Sequence, residues 1–210
     1  MQSWSRQVIV SMVLGSLLLA SPLRWAEAGE PQEKIKVTVD EVVAILANHT
    51  LPPPERRTKI RQIVLQRFGF DEMAQRSLAQ HWRPLTPPQQ QEFVALFTDL
   101  LEASYVNRMV NANPESQSVR YVKETIEQDQ AAVHTEVGNP RDAPATVEYR
   151  LLHKAGDWRV YDIVIEGVSL VNNYRTQFNN IVVKDSYAGL VKQMRLKRDQ
   201  ESAGSGTKGS

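Results

Sequence analysis

Trp158-Arg159-Val160-Tyr161-Asp162-Ile163-Val164-Ile165-Glu166-Gly167-Val168-Ser169-Leu170-Val171-Asn172-Asn173-Tyr174-Arg175-Thr176-Gln177-Phe178 changes its periodicity once, near Ser169. As far as Glu166 the residues read as an extended strand, with Trp158, Val160 and Val164 on one face and Tyr161, Ile163 and Ile165 on the other. Apolar residues on both faces predict a strand covered from both sides. Beyond Ser169, whose hydroxyl suits a helix N-cap, Leu170, Val171, Tyr174, Phe178 and Ile181 recur at helical spacing. A strand that passes directly into an amphipathic helix is therefore the element around which the rest must pack.

Upstream of this corner the period is two. Ala131, Val133, Thr135 and Val137 fall on one strand face and Ala145, Val147, Tyr149 and Leu151 on another. Gly138-Asn139-Pro140 and Lys154-Ala155-Gly156-Asp157 supply the turns, short enough for hairpins or a meander, so the second half predicts an antiparallel sheet. Before Asn113-Pro114 the pattern is helical. Thr38-Val39-Asp40-Glu41 has the form of a capping box and predicts a first helix over 38–49. After Pro52-Pro53-Pro54, Ile60, Ile63, Val64 and Phe68 predict a second helix ending at Gly69, and Asp71 is placed to cap a third that runs to about Gln80. Thr86-Pro87-Pro88-Gln89 is a further capping box with Pro at N1. It opens the clearest amphipathic run, Phe93, Leu96, Phe97, Leu100, Leu101, Tyr105 and Met109. At the other end Asp185 is placed to cap a helix containing Leu190, Val191 and Met194. Helices, then a strand block, then helices predict an α+β fold in which N- and C-terminal helices pack a curved antiparallel sheet.

The ends of the chain read differently. Arg6, the apolar run Val8 to Ala20 and the small-x-small triplet Ala26-Glu27-Ala28 have the order of a secretory signal peptide, so residues 1–28 are expected to be removed on export. An apolar core of roughly 13 residues is short of the about 20 that a spanning helix needs. No cysteine follows it to accept a lipid, and with no cysteine anywhere the fold has neither disulfide nor thiolate. Residues 29–196 are expected to form a single domain. From Lys197 the periodicity stops and Ser202-Ala203-Gly204-Ser205-Gly206 predicts a disordered tail over 197–210. Loss of Arg6, Arg24 and Glu27 with the leader would balance the two signs of charge, which argues against a nucleic-acid partner.

The chemistry-bearing residues are sparse. His49, His81, His134 and His153 stand far apart with no carboxylates at ligand spacing, so no metal or other cofactor is implied. Nucleophile-elbow and phosphate-loop strings are absent. Asp162 with Tyr174 could imitate a buried general base and phenolic donor, the logic of a periplasmic enzyme acting on a small apolar substrate. The competing use is structural, with Asp162 or Glu166 pairing with Arg175 to fix the helix onto the sheet. Phe93, Phe97, Leu100, Leu101, Tyr105, Tyr149, Trp158, Tyr161, Tyr174 and Phe178 suit a filled core and a lined cavity equally, because both require apolar inward positions and differ only in packing density.

A resemblance bears on that choice. Phe70-Asp71-Glu72-Met73-Ala74, His81-Trp82-Arg83, Thr86-Pro87, Glu92-Phe93, Leu96-Phe97 and Leu100-Leu101 through Tyr105 resemble the opening of the MlaC (toluene-tolerance) family of periplasmic phospholipid-binding proteins. The stretch Trp158 to Phe178 resembles that family's signature almost position by position. The likeness extends from about Val39 to Met194 and includes the hopanoid-associated HpnM branch. It implies an apolar cavity between helices and a curved sheet of NTF2-like type, occupied by acyl chains of a phospholipid or related lipid. It implies partners too: an outer-membrane lipoprotein complex and an inner-membrane ABC-type lipid transporter, between which the periplasmic carrier would shuttle. By position the cavity wall would comprise Phe97, Leu100, Leu101 and Tyr105 of the long helix, Val147 and Tyr149 of a central strand, Ile163 and Ile165 of the last strand, and Val168 of the turn. Asp162, Glu166, Ser169 and Arg175 would fix the strand-to-helix corner. Relatives often carry Asp where this chain has Gly69, which removes a side-chain cap there. A scaffold with a filled core is the third reading.

Overall fold

The fold is described from a computed structural model, which covers residues 29–106, 110, 118–138 and 143–204. Residues 1–28, expected to be a leader, Met109, and Asn113-Pro114 and Asn139-Pro140, expected to be a break and a turn, lie outside the described residues. Four α-helices lead: α1 (Glu30–Ala47), α2 (Pro53–Arg67), α3 (Phe70–Leu78) and α4 (Pro87–Leu101), the last passing into a π-helical turn at Glu102–Val106. A short 3₁₀ turn, Ala79–His81, follows α3. The sheet follows as β1 (Ser118–Glu127), β2 (Gln130–Gly138), β3 (Ala145–Lys154), β4 (Asp157–Ile165) and the two-residue β5 (Val168–Ser169), and α5 (Leu170–Gly204) closes the chain. The strands pair antiparallel in sequence order, a meander in which every connection is local. The α+β class read from the sequence is the class observed.

Several boundaries differ from the sequence reading, each for a physical reason. Helix α1 starts eight residues before Thr38, whose hydroxyl sits mid-helix and donates back to the Lys34 carbonyl at 2.8 Å. The true start is capped from outside the helix: the Glu124 carboxylate of β1 accepts from the N–H groups of Gly29 and Gln32, both at 2.7 Å. A carboxylate at a helix N-terminus satisfies orphan donors and complements the dipole, and no local sequence signal reports it. Asp71 lies inside the first turn of α3, and the cap position is Gly69, whose N–H donates to the Val160 carbonyl at 2.9 Å and so pins α3 to β4. At α4 the capping box forms as read, with Thr86 N–H donating to Gln89 Oε1 at 2.9 Å. Helix α5 breaks at Ser186, directly after Asp185, where φ is 72°. Past Lys197, where the sequence predicts a disordered tail, α5 continues to Gly204, and Arg198 lies 4.0 Å from Asp99 of α4.

A β-bulge corrects the two faces of β4. Register runs Leu151 opposite Val160, then Arg150 opposite Asp162, which leaves Tyr161 as the extra residue. The phase shifts by one there. Trp158 and Val160 consequently share a face with Ile163 and Ile165, while Asp162 and Val164 turn towards α5. Leu151, Val133, Ala131, Trp158 and Val160 pack together with Ile35 of α1 on the first face. On the other side the main helical core gathers α3, α4 and α5 around Phe93, Phe97, Leu100, Tyr174, Phe178 and Leu190, with Tyr161 against its edge. Arg76 stacks over the Tyr161 ring at 4.4 Å.

Candidate functional site

Helix α2 lies across the concave sheet face without filling the space beneath it. Its only fully buried apolar residue is Ile60, which packs with Leu46, Val106 and Val110 towards α1 and the π-helical turn. Between this small cluster, the sheet and the helical core stands a cavity of about 380 Å³. That volume is within the ~300–1,000 Å³ typical of ligand sites and far above the voids of a packed interior. Val64 and Leu65 of α2 and Phe68, directly after it, form one wall, and Phe70 and Met73 of α3 the base. Thr98, Leu101, Glu102, Tyr105 and Val106 form a second wall on α4 and its π-helical turn; Val137, Val147, Tyr149, Ile163 and Ile165 form the sheet wall, and Leu170 joins from α5. Among the described residues lining the cavity, Arg61 is the only cation and Glu102 the only anion. Burial pushes the Tyr149 phenol above its ordinary pKa, so it stays neutral at physiological pH.

The structure divides the nine expected wall residues. Leu101, Tyr105, Val147, Tyr149, Ile163 and Ile165 stand on the wall. Phe97 and Leu100 do not reach it. They lie on the part of the α4 apolar arc that faces α5, where the Phe97 ring meets Tyr174 edge-on at 5.3 Å and Phe178 at 5.8 Å. Val168 is 58% exposed: it pairs with Ile165 at the sheet edge and points to solvent rather than inward. The sequence does not mark α2 and its C-cap as a cavity wall, because Val64 and Phe68 read equally well as ordinary core. The π-helical turn carries no sequence signal, yet it widens the helix where Tyr105 and Val106 meet the cavity.

The possible catalytic groups are not on this wall. Asp162 is 4% exposed and fully engaged: Ser169 Oγ donates to Oδ2 at 2.6 Å, Val171 N–H to Oδ1 at 3.0 Å, and Arg150 Nη1 to Oδ2 at 3.4 Å. Ser169 Oγ in turn accepts from Asn172 N–H at 3.0 Å, capping α5. Glu166 accepts from the Thr146 backbone N–H and, at 3.0 Å, from its hydroxyl, so it fastens the β4–β5 turn to β3. Arg175 pairs with neither acid; its Nε donates to the Arg76 carbonyl at 3.0 Å and ties α5 to α3. Among the described residues no group of three His, Asp or Glu is placed to hold a metal, and no helix is long and apolar enough to cross a membrane.

Comparison with known proteins gives this geometry a context. The sequence pattern of the family described as MlaC protein matches residues 36–196. The chain belongs to the MlaC family. A curated member, the intermembrane phospholipid transport system binding protein MlaC of Haemophilus influenzae, is 21% identical over 151 residues, 70% of this chain and 71% of that one. A phospholipid-binding protein from Ralstonia solanacearum, solved in complex with a phospholipid, superposes with a TM-score of 0.74 at 26% identity, covering 82% of this chain and 99% of that one. The family match starts inside α1 and ends inside α5, so it includes every element that walls the cavity.

Proposed function

We propose that the protein is a periplasmic lipid carrier. It binds the acyl chains of a phospholipid, or of a hopanoid-type lipid, in the cavity between α2, α4 and the sheet, and moves them between an outer-membrane lipoprotein complex and an inner-membrane ABC-type transporter. The observation that carries this reading is the cavity wall: apart from Arg61, Glu102, Thr98 and the two tyrosine hydroxyls it offers only apolar side chains, hydrocarbon but for the Met73 thioether. Each methylene moved there from water gains about 0.8 kcal/mol. With a methylene taken as roughly water-sized, about 30 Å³, the cavity holds on the order of a dozen, the bulk of one acyl chain. The leader read over residues 1–28 supports the compartment, and membership of the MlaC family supports the cargo and the two membrane partners.

Solvent extraction of the purified exported protein, followed by mass spectrometry, tests the proposal. Lipid at about one molecule per chain is expected, and a protein free of lipid after mild purification would overturn it. Catalysis has little to draw on here, since Asp162 is saturated by structural hydrogen bonds and neither it nor Tyr174 lines the cavity.

A further inference from the structure

The two charged residues of the cavity wall face each other. Arg61 of α2 donates through Nε to Glu102 of the π-helical turn, and its Nη2 lies 3.8 Å from Asp99 of α4. The Arg61 side chain is 42% exposed and that of Glu102 22%, so this pair marks where the hydrocarbon wall meets water. Among the described residues the remaining N–H groups of Arg61 carry no hydrogen bond. We propose that this Arg61–Glu102 pair is a headgroup site that selects phospholipids bearing both a phosphate and an ammonium group.

The argument rests on the lipid-carrier reading and follows from charge balance. A guanidinium with unused donors is a fork for phosphate oxygens. A phosphate taken up by Arg61 loosens its hold on Glu102, and the released carboxylate, with Asp99 behind it, then needs a cation. A headgroup ending in an ammonium supplies one, so the Arg61–Glu102 contact of the empty protein is replaced by two contacts in the complex, phosphate to Arg61 and ammonium to Glu102. A headgroup with net negative charge brings the phosphate but no cation, and leaves Glu102 facing added negative charge, while Asp99 keeps Arg198 at 4.0 Å. The acyl chains are identical in the two cases, so the difference between them resides at this pair.

Delipidated protein incubated with vesicles of equimolar phosphatidylethanolamine and phosphatidylglycerol of matched chains, then separated and extracted, reads the choice directly. The wild type is expected to take up the ethanolamine lipid in about fivefold excess, the range of a half-exposed charge contact. Glu102→Gln is expected to bring the ratio towards one, whatever its effect on total loading. Arg61→Gln removes the attraction to the phosphate common to both lipids, so loading of the two should fall together. A wild type that loads both lipids equally, or a Glu102→Gln protein whose ratio is unchanged, overturns this inference alone. Failure of the wild type to load either lipid overturns the carrier reading and this inference with it.

Discussion

Ser169 Oγ donates to Asp162 Oδ2 at 2.6 Å while accepting from Asn172 N–H at 3.0 Å, so one hydroxyl joins the buried carboxylate of β4 to the first turn of α5. Val171 N–H completes the arrangement on Oδ1. The last strand and the last helix are thereby locked at a fixed angle, and the main helical core is built against that corner. Replacing the carboxylate by an amide removes acceptor capacity from three donors at a buried position. Asp162→Asn is expected to lower stability by about 1–3 kcal/mol in urea unfolding. Lipid content per folded molecule should be unchanged, because Asp162 is not on the cavity wall. A catalyst would instead lose turnover at constant stability.

Phe97 and Ile163 separate core from cavity. Phe97→Ala empties a packed site among Phe93, Tyr174 and Phe178 and should cost about 3–5 kcal/mol. Ile163 already faces empty space, so Ile163→Ala in delipidated protein loses only part of a transfer contribution and should cost about 1 kcal/mol. Parallel denaturation curves of the two variants check the difference. Equal costs would mean that the space beneath α2 is filled in solution.

Acid should loosen the tie between the helices and the sheet. Asp157, at the start of β4, receives Lys34 of α1 at 3.0 Å and Arg67 of α2 at 3.3 Å. Burial pushes its carboxyl up, but the Lys34 hydrogen bond and the two nearby cations outweigh it and hold the pKa below the usual carboxylate range. A depressed pKa contributes stability that is present above the unfolded value, about 4, and lost as pH falls through the folded one. Asp157→Asn should therefore reduce stability at neutral pH and flatten its decline below about pH 4. Unfolding midpoints of both proteins measured from pH 7 to pH 3 give the comparison.

Processing of the leader should strengthen the α1 cap. If the exported chain begins at Gly29, that nitrogen becomes an ammonium 2.7 Å from the Glu124 carboxylate, an ion pair in place of an amide hydrogen bond. N-terminal sequencing should read Gly29 first. Glu124→Gln is expected to destabilise the processed protein by about 0.5–1 kcal/mol, and by less in a form that retains residues before Gly29. Equal effects in both forms would exclude the ion pair.

What the sequence made legible follows from where each signal is stored. The periods of helices α2 to α4 and of strands β2 and β3, and the caps at Thr86 and Ser169, are carried locally and are legible in the sequence. Strand β1 was not read, because the register slips between Tyr121 and Lys123, which turns Val122 outward and breaks the alternation. The faces of β4 were misassigned at Trp158 and Val160 for the same reason, since one bulged residue at Tyr161 is invisible to a period of two. The Thr38 box misled because its hydroxyl found a mid-helix carbonyl, while the real cap came from Glu124, 92 residues from Gln32. Of the long amphipathic run, Leu101 and Tyr105 face the cavity and Phe97 and Leu100 the core. A wide apolar arc serves two neighbours, and only the packed structure divides it.

The near-total hydrocarbon lining has a consequence for flow. The interior of a bilayer is as apolar as a cluster of Leu and Ile. An acyl chain passing from membrane to cavity therefore exchanges one oil for another, and the large gain of leaving water cancels from the balance. Such a vessel neither hoards its contents nor refuses them. It fills beside a donor and empties beside an acceptor with small free-energy change at each end. If the protein is the proposed carrier, the direction of traffic would be imposed by machinery on the two membranes, where work can be done, and the carrier would gain its usefulness from being nearly indifferent.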